Sequence, residues 1–285
     1  MARISIVTDT DCSLPLEFTA ARGIRQIPIS IQFDDRSYNT GTEIDDARMF
    51  DMIKIAGKLP TTAAPNPQKF AGAFKDIFNE DHPDALICFC ISSAMSGTYN
   101  AACMARDELG SDYDITIVDT QSLSSGQAFM VLTACDAVKT GASVEDILKL
   151  TEDIRSRSHL YGALATLKYL AMSGRVSQLA AGMAGMLDIK PILALQNGKL
   201  EMLEKARTKK KAWERLVELV QSDAAGSRIE RMAIIHVNAP EGAEEFKTLL
   251  QQSIALPVDV MTAQMTPGLS VHTGEGLVGV GFVVQ

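Results

Sequence analysis

The heptapeptide Ala85-Leu-Ile-Cys-Phe-Cys-Ile91 constrains the fold more than any other stretch of this chain. It carries no charge and runs straight into the polar turn Ser92-Ser-Ala-Met-Ser-Gly-Thr98. A short uncharged run ending in a turn reads as a strand buried on both faces, which requires helices above and below it. Residues 99–109 supply a helical pattern directly after the turn. Polar turns at the carboxyl ends of buried strands are where open α/β sheets bind ligands. The helix start adds free N–H groups and partial positive charge that suit a carboxylate or phosphate. Ser92, Ser93, Ser96 and Thr98 bring four hydroxyls to this turn, whereas an ordinary cap uses one. On this segment alone, a helix cap and a ligand site are equally good readings.

The same unit recurs through the first half of the chain. Strands are expected at 4–7, 27–33 and 115–118, and polar turns at 8–13 and 119–126. Helices are expected at 45–58, 67–79 and 127–139, with Asn66 as an N-cap and Pro67 at the first helical position. Strand, turn and helix in alternation predict a mostly parallel sheet with helices on both faces. No turn carries a dinucleotide or phosphate-loop glycine pattern, so a nucleotide cofactor has no support.

After Gly141 the pattern changes. A helix is expected at 144–156 and a strand at 162–166, then a polar hinge at 169–177 leads into a Met- and Ala-rich stretch at 180–187. Strands at 192–195 and 199–203 flank the turn Gln196-Asn-Gly198, which is a hairpin signal. A helix at 208–222 and strands at 232–237, 258–260 and 276–284 complete the chain, the last with glycines that permit close backbone approach. The fold class expected is α/β in two domains: 1–155 around the parallel sheet, and 156–285 as a smaller α+β domain with a mixed sheet. No low-complexity linker separates them, so a ligand cleft between the domains is the default expectation.

Composition excludes several classes. A net charge of −8 gives no general affinity for nucleic acid or for anionic membranes, so membrane contact is expected to be transient at most. No apolar run approaches the ~20 residues needed to span a bilayer, and the opening Met1-Ala-Arg-Ile-Ser-Ile-Val reads as a strand, not a leader. Five cysteines, mostly in apolar or helical runs, look like buried thiols of a reduced, cytoplasmic protein. Cys88-Phe-Cys90 lacks a second pair, and its two sulfurs are expected on opposite faces of the strand, so no metal is expected.

The candidate polar groups gather at turns. Thr61 and Thr62 give a second hydroxyl pair before a helix start. Together with Ser96, Gly97 and Thr98 they describe a site that holds a carboxylate by neutral hydrogen bonds, beside an apolar Met-rich lining. Among the four histidines, His82, His159 and His236 read as structural, whereas His272 lies in a short glycine-flanked loop and is as suited to function as to structure. Arg175 fits either a bidentate contact to an anion or an ion pair with a carboxylate such as Asp188. A serine hydrolase lacks its nucleophile pattern. The run Lys209-Lys-Lys211 stands out in an acidic chain as a docking surface for an acidic partner, although such runs are usually solvated faces.

Six short motifs, in order over nearly the whole length, resemble the DegV family of bacterial fatty-acid-binding proteins, which includes the FakB subunits of fatty acid kinase. They are Ile6-Val-Thr-Asp-Thr, Ser92-Ser-Ala-Met-Ser-Gly-Thr98, Val118-Asp-Thr-Gln-Ser-Leu-Ser-Ser-Gly126, Gly174-Arg-Val-Ser177 with Asp188-Ile-Lys-Pro-Ile192, Arg207-Thr-Lys-Lys-Lys-Ala212, and Ser270-Val-His-Thr-Gly274. The resemblance implies two α/β domains with a long-chain fatty acid in a tunnel between them. It implies that Thr62 and Ser96 hold the carboxylate, with Arg175 and His272 near the head group. It also implies a carrier without catalysis or cofactor of its own, presenting the acid to a separate ATP-dependent kinase that forms an acyl phosphate. The chain departs from the family where Ala63-Ala64 follow Thr62 in place of Ser and Gln, which removes head-group contacts from that loop. Another amphiphilic carboxylate or lipid, or a stand-alone acyl hydrolase, are the alternative functions.

Overall fold

The computed structural model of the protein describes residues 2–173 and 189–285. The first strands are β1 (Ile4–Asp9), β2 (Arg25–Ile27), β3 (Ser30–Phe33), β4 (Arg36–Asn39), β5 (Thr61–Ala63), β6 (Ala85–Cys90) and β7 (Ile115–Asp119). Later come β8 (Ser158–Ala163), β9 (Lys190–Gln196), β10 (Lys199–Ala206), β11 (Ile229–His236), β12 (Val260–Gln264) and β13 (Val278–Val284). The helices of the first half are α1 (Leu16–Ala20), α2 (Asp46–Ala56), α3 (Pro67–Asp81), α4 (Thr98–Leu109), α5 (Ser124–Lys139) and α6 (Val144–Ser156). Those of the second are α7 (Lys168–Ser173), α8 (Lys209–Ala224), α9 (Pro240–Gln251) and α10 (Pro267–Thr273).

The parallel sheet forms as the uncharged heptapeptide requires. Its order is β2-β1-β6-β7, and β6 is buried along its whole length. The strand period of two sorts its side chains. Ile4, Ile6, Ile87 and Phe89 face α5 and α6, while Val7, Leu86, Cys88 and Cys90 pack with Phe70 and Phe74 of α3 and Ala102 of α4. Cys88 and Cys90 therefore share a face, with their sulfurs 3.8 Å apart, and the expectation of opposite faces is corrected: two residues along a strand restore the same orientation.

The second sheet is mixed and has the order β10-β9-β8-β13-β11-β12. Only β11 and β12 run parallel within it. Helix α5 lies between the two sheets, packing on β1 and β6 from one side and on β8, β11 and β13 from the other. A burial pattern with hardly a polar stripe is the consequence. Its close seat needs glycine on β13: a Cβ at Gly281 would stand 2.1 Å from Ser125 Oγ.

A third sheet, β4-β3-β5, is antiparallel and was not expected from the sequence. The stretch 27–33, anticipated as one strand, divides at Pro28-Ile29 because proline has no N–H to give a ladder. Its first part stays in the parallel sheet, while Ile31 pairs with Tyr38 and Thr62 in the small one. Thr62 thus sits on an edge strand, not at a helix start. Helix α3 begins later, at Pro67, capped by Asn66 Oδ1 accepting from Lys69 N at 2.8 Å, as its sequence predicts. His159 lies inside β8, stacked on Phe282, and His272 lies in α10 instead of a loop. Helix α9 also went unread.

Apolar side chains from the small sheet, the six-stranded sheet, α2 and α10 meet in one cluster: Ile31 and Phe33, Met49 and Phe50, Leu160, Leu193, Ile235 and Leu269. The cluster joins the small sheet to the six-stranded one and adjoins the carboxyl end of β6 through Ile91.

Candidate functional site

Thr62, Ser96, Gly97 and His272 come together around one cavity of about 140 Å³. Strand pairing aims the first of them. Along β5 the side chains alternate, so Thr62 is half-buried and faces the cavity while Thr61 and Ala63 are exposed. Thr61 is not among the lining residues, since one step along a strand reverses the face.

Ser96 is set by the turn after β6. Met95 N and Ser96 N both donate to Ser92 O, at 3.0 and 3.1 Å, which closes the chain tightly. The Ser96 hydroxyl then lies 2.8 Å from Thr98 Oγ1 and accepts from Thr98 N at 3.3 Å. Thr98 is fully buried and braces Ser96 from behind. Gly97, the N-cap of α4, also lines the cavity and has no side chain to cap the helix, while the Thr98 N–H is taken by Ser96 Oγ.

His272 arrives on the last turn of α10, and its Nε2 lies 3.2 Å from Thr62 Oγ1, across 210 residues of sequence. Helix α10 is anchored from behind by Asp46 of α2, whose Oδ2 accepts from Ser270 Oγ at 2.9 Å and from Gln264 Nε2. Burial pushes the Asp46 carboxyl up to about 7, against the opposing pull of those two donors. His236, expected to be structural, closes β11, buried, and accepts from Ala239 N at 3.4 Å.

The wall opposite Thr62 holds a group that sequence reasoning missed. Asp11, in the turn after β1, lines the cavity and is 4% exposed. Burial, and then the negative charge of Asp9, push its carboxyl well above the ordinary range. Asp9 is raised to about 6, chiefly by burial, although it accepts from Ile91 N (2.7 Å), Asp11 N (2.9 Å) and Gln127 Nε2 (3.1 Å). Thr266 Oγ1 donates to Asp11 Oδ1 at 3.4 Å, and only glycine fits beside it at 268, where a Cβ would stand 2.3 Å from that oxygen. The available signal was two aspartates in a turn at the carboxyl end of a buried strand.

Among the described residues no lysine or arginine lines this cavity. Its remaining walls are apolar, with Ile29, Ala64, Ile91, Met95 and Leu269. Ala64 packs 4.0 Å from where a Cβ on Gly97 would stand. Arg175 and the stretch 180–187 lie outside the described residues. No group of three or more His, Cys, Asp or Glu able to hold a metal occurs among the described residues, and no helix among them is long and apolar enough to cross a membrane.

A larger hollow of about 490 Å³ lies between β8, α8 and α9, next to Lys190, Lys209 and Trp213. Among the described residues, none of those singled out for ligand binding lines it. The basic run beside it is partly neutralised, with Lys209 3.2 Å from Glu245 and Lys210 3.8 Å from Glu214.

Comparison with known proteins fits this geometry. The protein belongs to the DegV family, whose model, described as an uncharacterised protein of that family, matches residues 3–285. Protein DegV of Bacillus subtilis is 31% identical over 279 residues, 97% of this chain and 98% of its own length. A DegV family protein from Thermus thermophilus, described by its fatty acid binding, superposes with a TM-score of 0.92 at 28% identity, covering 99% of this chain and 100% of that one. The structure of Bacillus subtilis DegV, described as a fatty acid binding protein, gives 0.87 at 29% identity over the whole of both chains. These solved relatives carry the same two-domain α/β fold, a parallel sheet flanked by helices followed by a mixed sheet.

Proposed function

We propose that this protein is a fatty-acid-binding carrier whose 140 Å³ cavity receives the carboxylate of a long-chain acid. The carrying observation is the convergence of Thr62 Oγ1, the Ser96 hydroxyl, Gly97 at the amino end of α4 and His272 on one small cavity beside a large apolar cluster. Neutral donors and a helix amino end stabilise a carboxylate without the strong hydration of a phosphate site. The cavity itself is of head-group size, below the ~300 Å³ of a typical pocket for a whole small molecule. The hydrocarbon tail would pass between the side chains around Ile31, Phe50, Leu160 and Leu269, where the proposed domains 1–155 and 156–285 meet. Each buried methylene would contribute ~0.8 kcal/mol, so the tail supplies affinity and the head group supplies orientation.

In this reading Gly97 and Thr98 shape the hydroxyl turn and Arg175 adds a cation near the carboxylate. The protein performs no chemistry itself and needs no cofactor. It works in the cytoplasm and hands the acid to an ATP-dependent fatty acid kinase, the step for which the family resemblance is the support.

Native mass spectrometry of the purified protein tests the reading: a co-purifying long-chain acid is expected. Thr62→Ala with Ser96→Ala should reduce its occupancy at least tenfold, by removing two hydrogen bonds to a charged group worth about 1.5–3 kcal/mol each. Unchanged occupancy in the double variant would reject the site.

A further inference from the structure

The polar groups around the cavity present a charge problem that hydroxyls alone do not resolve. Asp11 lines the same small cavity as Thr62, Ser96 and His272, and Asp9 lies directly behind it. An incoming carboxylate would be the third acidic group within this space. Like charges so close in a desolvated site cannot all ionise. Asp9 is the better supplied with donors, from Ile91 N, Asp11 N and Gln127, whereas among the described residues Asp11 has only the long contact from Thr266. Hydrogen bonds to a carboxylate favour its ionised form, so the negative charge settles on Asp9 and the proton on Asp11.

We propose that Asp11 is a ligand-recognition residue that enters the head-group site as a neutral carboxylic acid and gives its O–H to the bound carboxylate. The inference rests on the carrier reading and deepens it by adding a donor to a site otherwise made of hydroxyls, a helix end and a histidine. Its placement is enforced by Gly268, whose missing side chain leaves room for the Asp11 carboxyl at the mouth of α10.

The surroundings of Asp11 are consistent with a neutral acid. From β1 it faces Asp9, and from α10 it faces His272 across the cavity. Within its own turn Cys12 remains a thiol, pushed up to about 12 by burial. Helix α5 brings Gln127, a neutral group, to the Asp9 side. Asp46 of α2 meets α10 on its far side, at Ser270. Among the described residues, therefore, the acidic groups near Asp11 that burial raises are Asp9 and, behind α10, Asp46, and His272 lines the same cavity. Burial and the charge of Asp9 both raise the Asp11 carboxyl, in agreement with a proton resting there.

The test is palmitate affinity at pH 7 in the full-length protein and in Asp11→Asn. The amide keeps a donor and removes the ionisable proton. A neutral Asp11 predicts that the variant binds palmitate within about threefold of the unaltered protein. An ionised Asp11 would instead repel the ligand, so that its removal tightens binding by tenfold or more, and that result overturns the proposal. Loss of binding by more than tenfold in a folded variant also overturns it, because the site would then depend on the charge of Asp11, which the amide lacks. The unaltered protein gives an independent reading if Asp11→Asn does not fold. Infrared difference spectra should show a carboxylic acid C=O band that shifts when palmitate is added at pH 7, and no such shift overturns the proposal. Failure of palmitate to bind the unaltered protein at all would reject the carrier reading, which separates the two outcomes.

Discussion

Replacing Asp46 by asparagine should stabilise the protein at neutral and alkaline pH and destabilise it in acid. Asp46 is 3% exposed, and its Oδ2 accepts from Ser270 and Gln264 while Oδ1 is buried without a hydrogen-bond partner. Its carboxyl is raised from 3.8 to about 7, so the folded state holds a proton that the unfolded chain releases. Linkage between protonation and folding sets the sign. A carboxyl raised on folding gives its full stability below the unfolded value near 4, and loses it as pH rises to about 7. A rise of that size corresponds to about 4 kcal/mol lost between those limits, since each tenfold change in proton affinity is worth ~1.4 kcal/mol. Asparagine keeps an oxygen for Ser270 and Gln264 but buries an amide where Oδ1 was, at a cost of about 1–3 kcal/mol. The net expectation is a gain of about 1–3 kcal/mol at pH 8 and a gap between the two proteins that changes by about 4 kcal/mol from pH 4 to pH 8. Urea unfolding of both proteins across that range measures it, because the pH dependence from Asp9 and Asp11 is common to both. A difference in stability that does not vary with pH would refute the reasoning.

Other perturbations follow from the same contacts. Gly268→Ala drives a methyl against Asp11 Oδ1 and should cost about 1–3 kcal/mol in thermal unfolding while weakening palmitate binding; unaltered affinity would place Asp11 away from the head group. Ser92→Ala removes the 2.6 Å hydrogen bond to Gly198 O that ties the carboxyl end of β6 to the β9–β10 turn, with an expected loss of about 1–2 kcal/mol in denaturant titration. Phe282→Ala empties a fully buried site in the six-stranded sheet and should cost about 3–5 kcal/mol; a smaller loss would mean that the sheet collapses around the gap. Reversing Lys209 and Lys211 to glutamate should slow kinase-coupled turnover several-fold at low salt, an effect that shrinks as salt rises. Turnover that is insensitive to both changes would remove this face from the docking surface.

The sequence alone determined the parallel sheet, because an uncharged strand such as Ala85-Leu-Ile-Cys-Phe-Cys-Ile91 has no stable place except between helices. It also determined the helix from Pro67 and the β9–β10 hairpin, since local caps and turn residues specify them: Asn66 before Pro67, Asn197-Gly198 between strands. It identified Thr62, Ser96 and His272 as candidates by residue type and by family resemblance. It misplaced two of them locally, since a three-residue edge strand and a seven-residue helix leave too few residues for any period to show. Only the tertiary structure decided that they share a cavity, because Thr62 reaches His272 through a sheet pairing and a helix docking separated by 210 residues. The burial of Asp11 likewise came only with the tertiary structure. An aspartate in a polar turn reads as solvated, and its burial comes from α5 and from α10, the latter packing on that turn from the far end of the sequence. What a residue is was written locally; the dielectric and the neighbours that set its chemistry came from the fold.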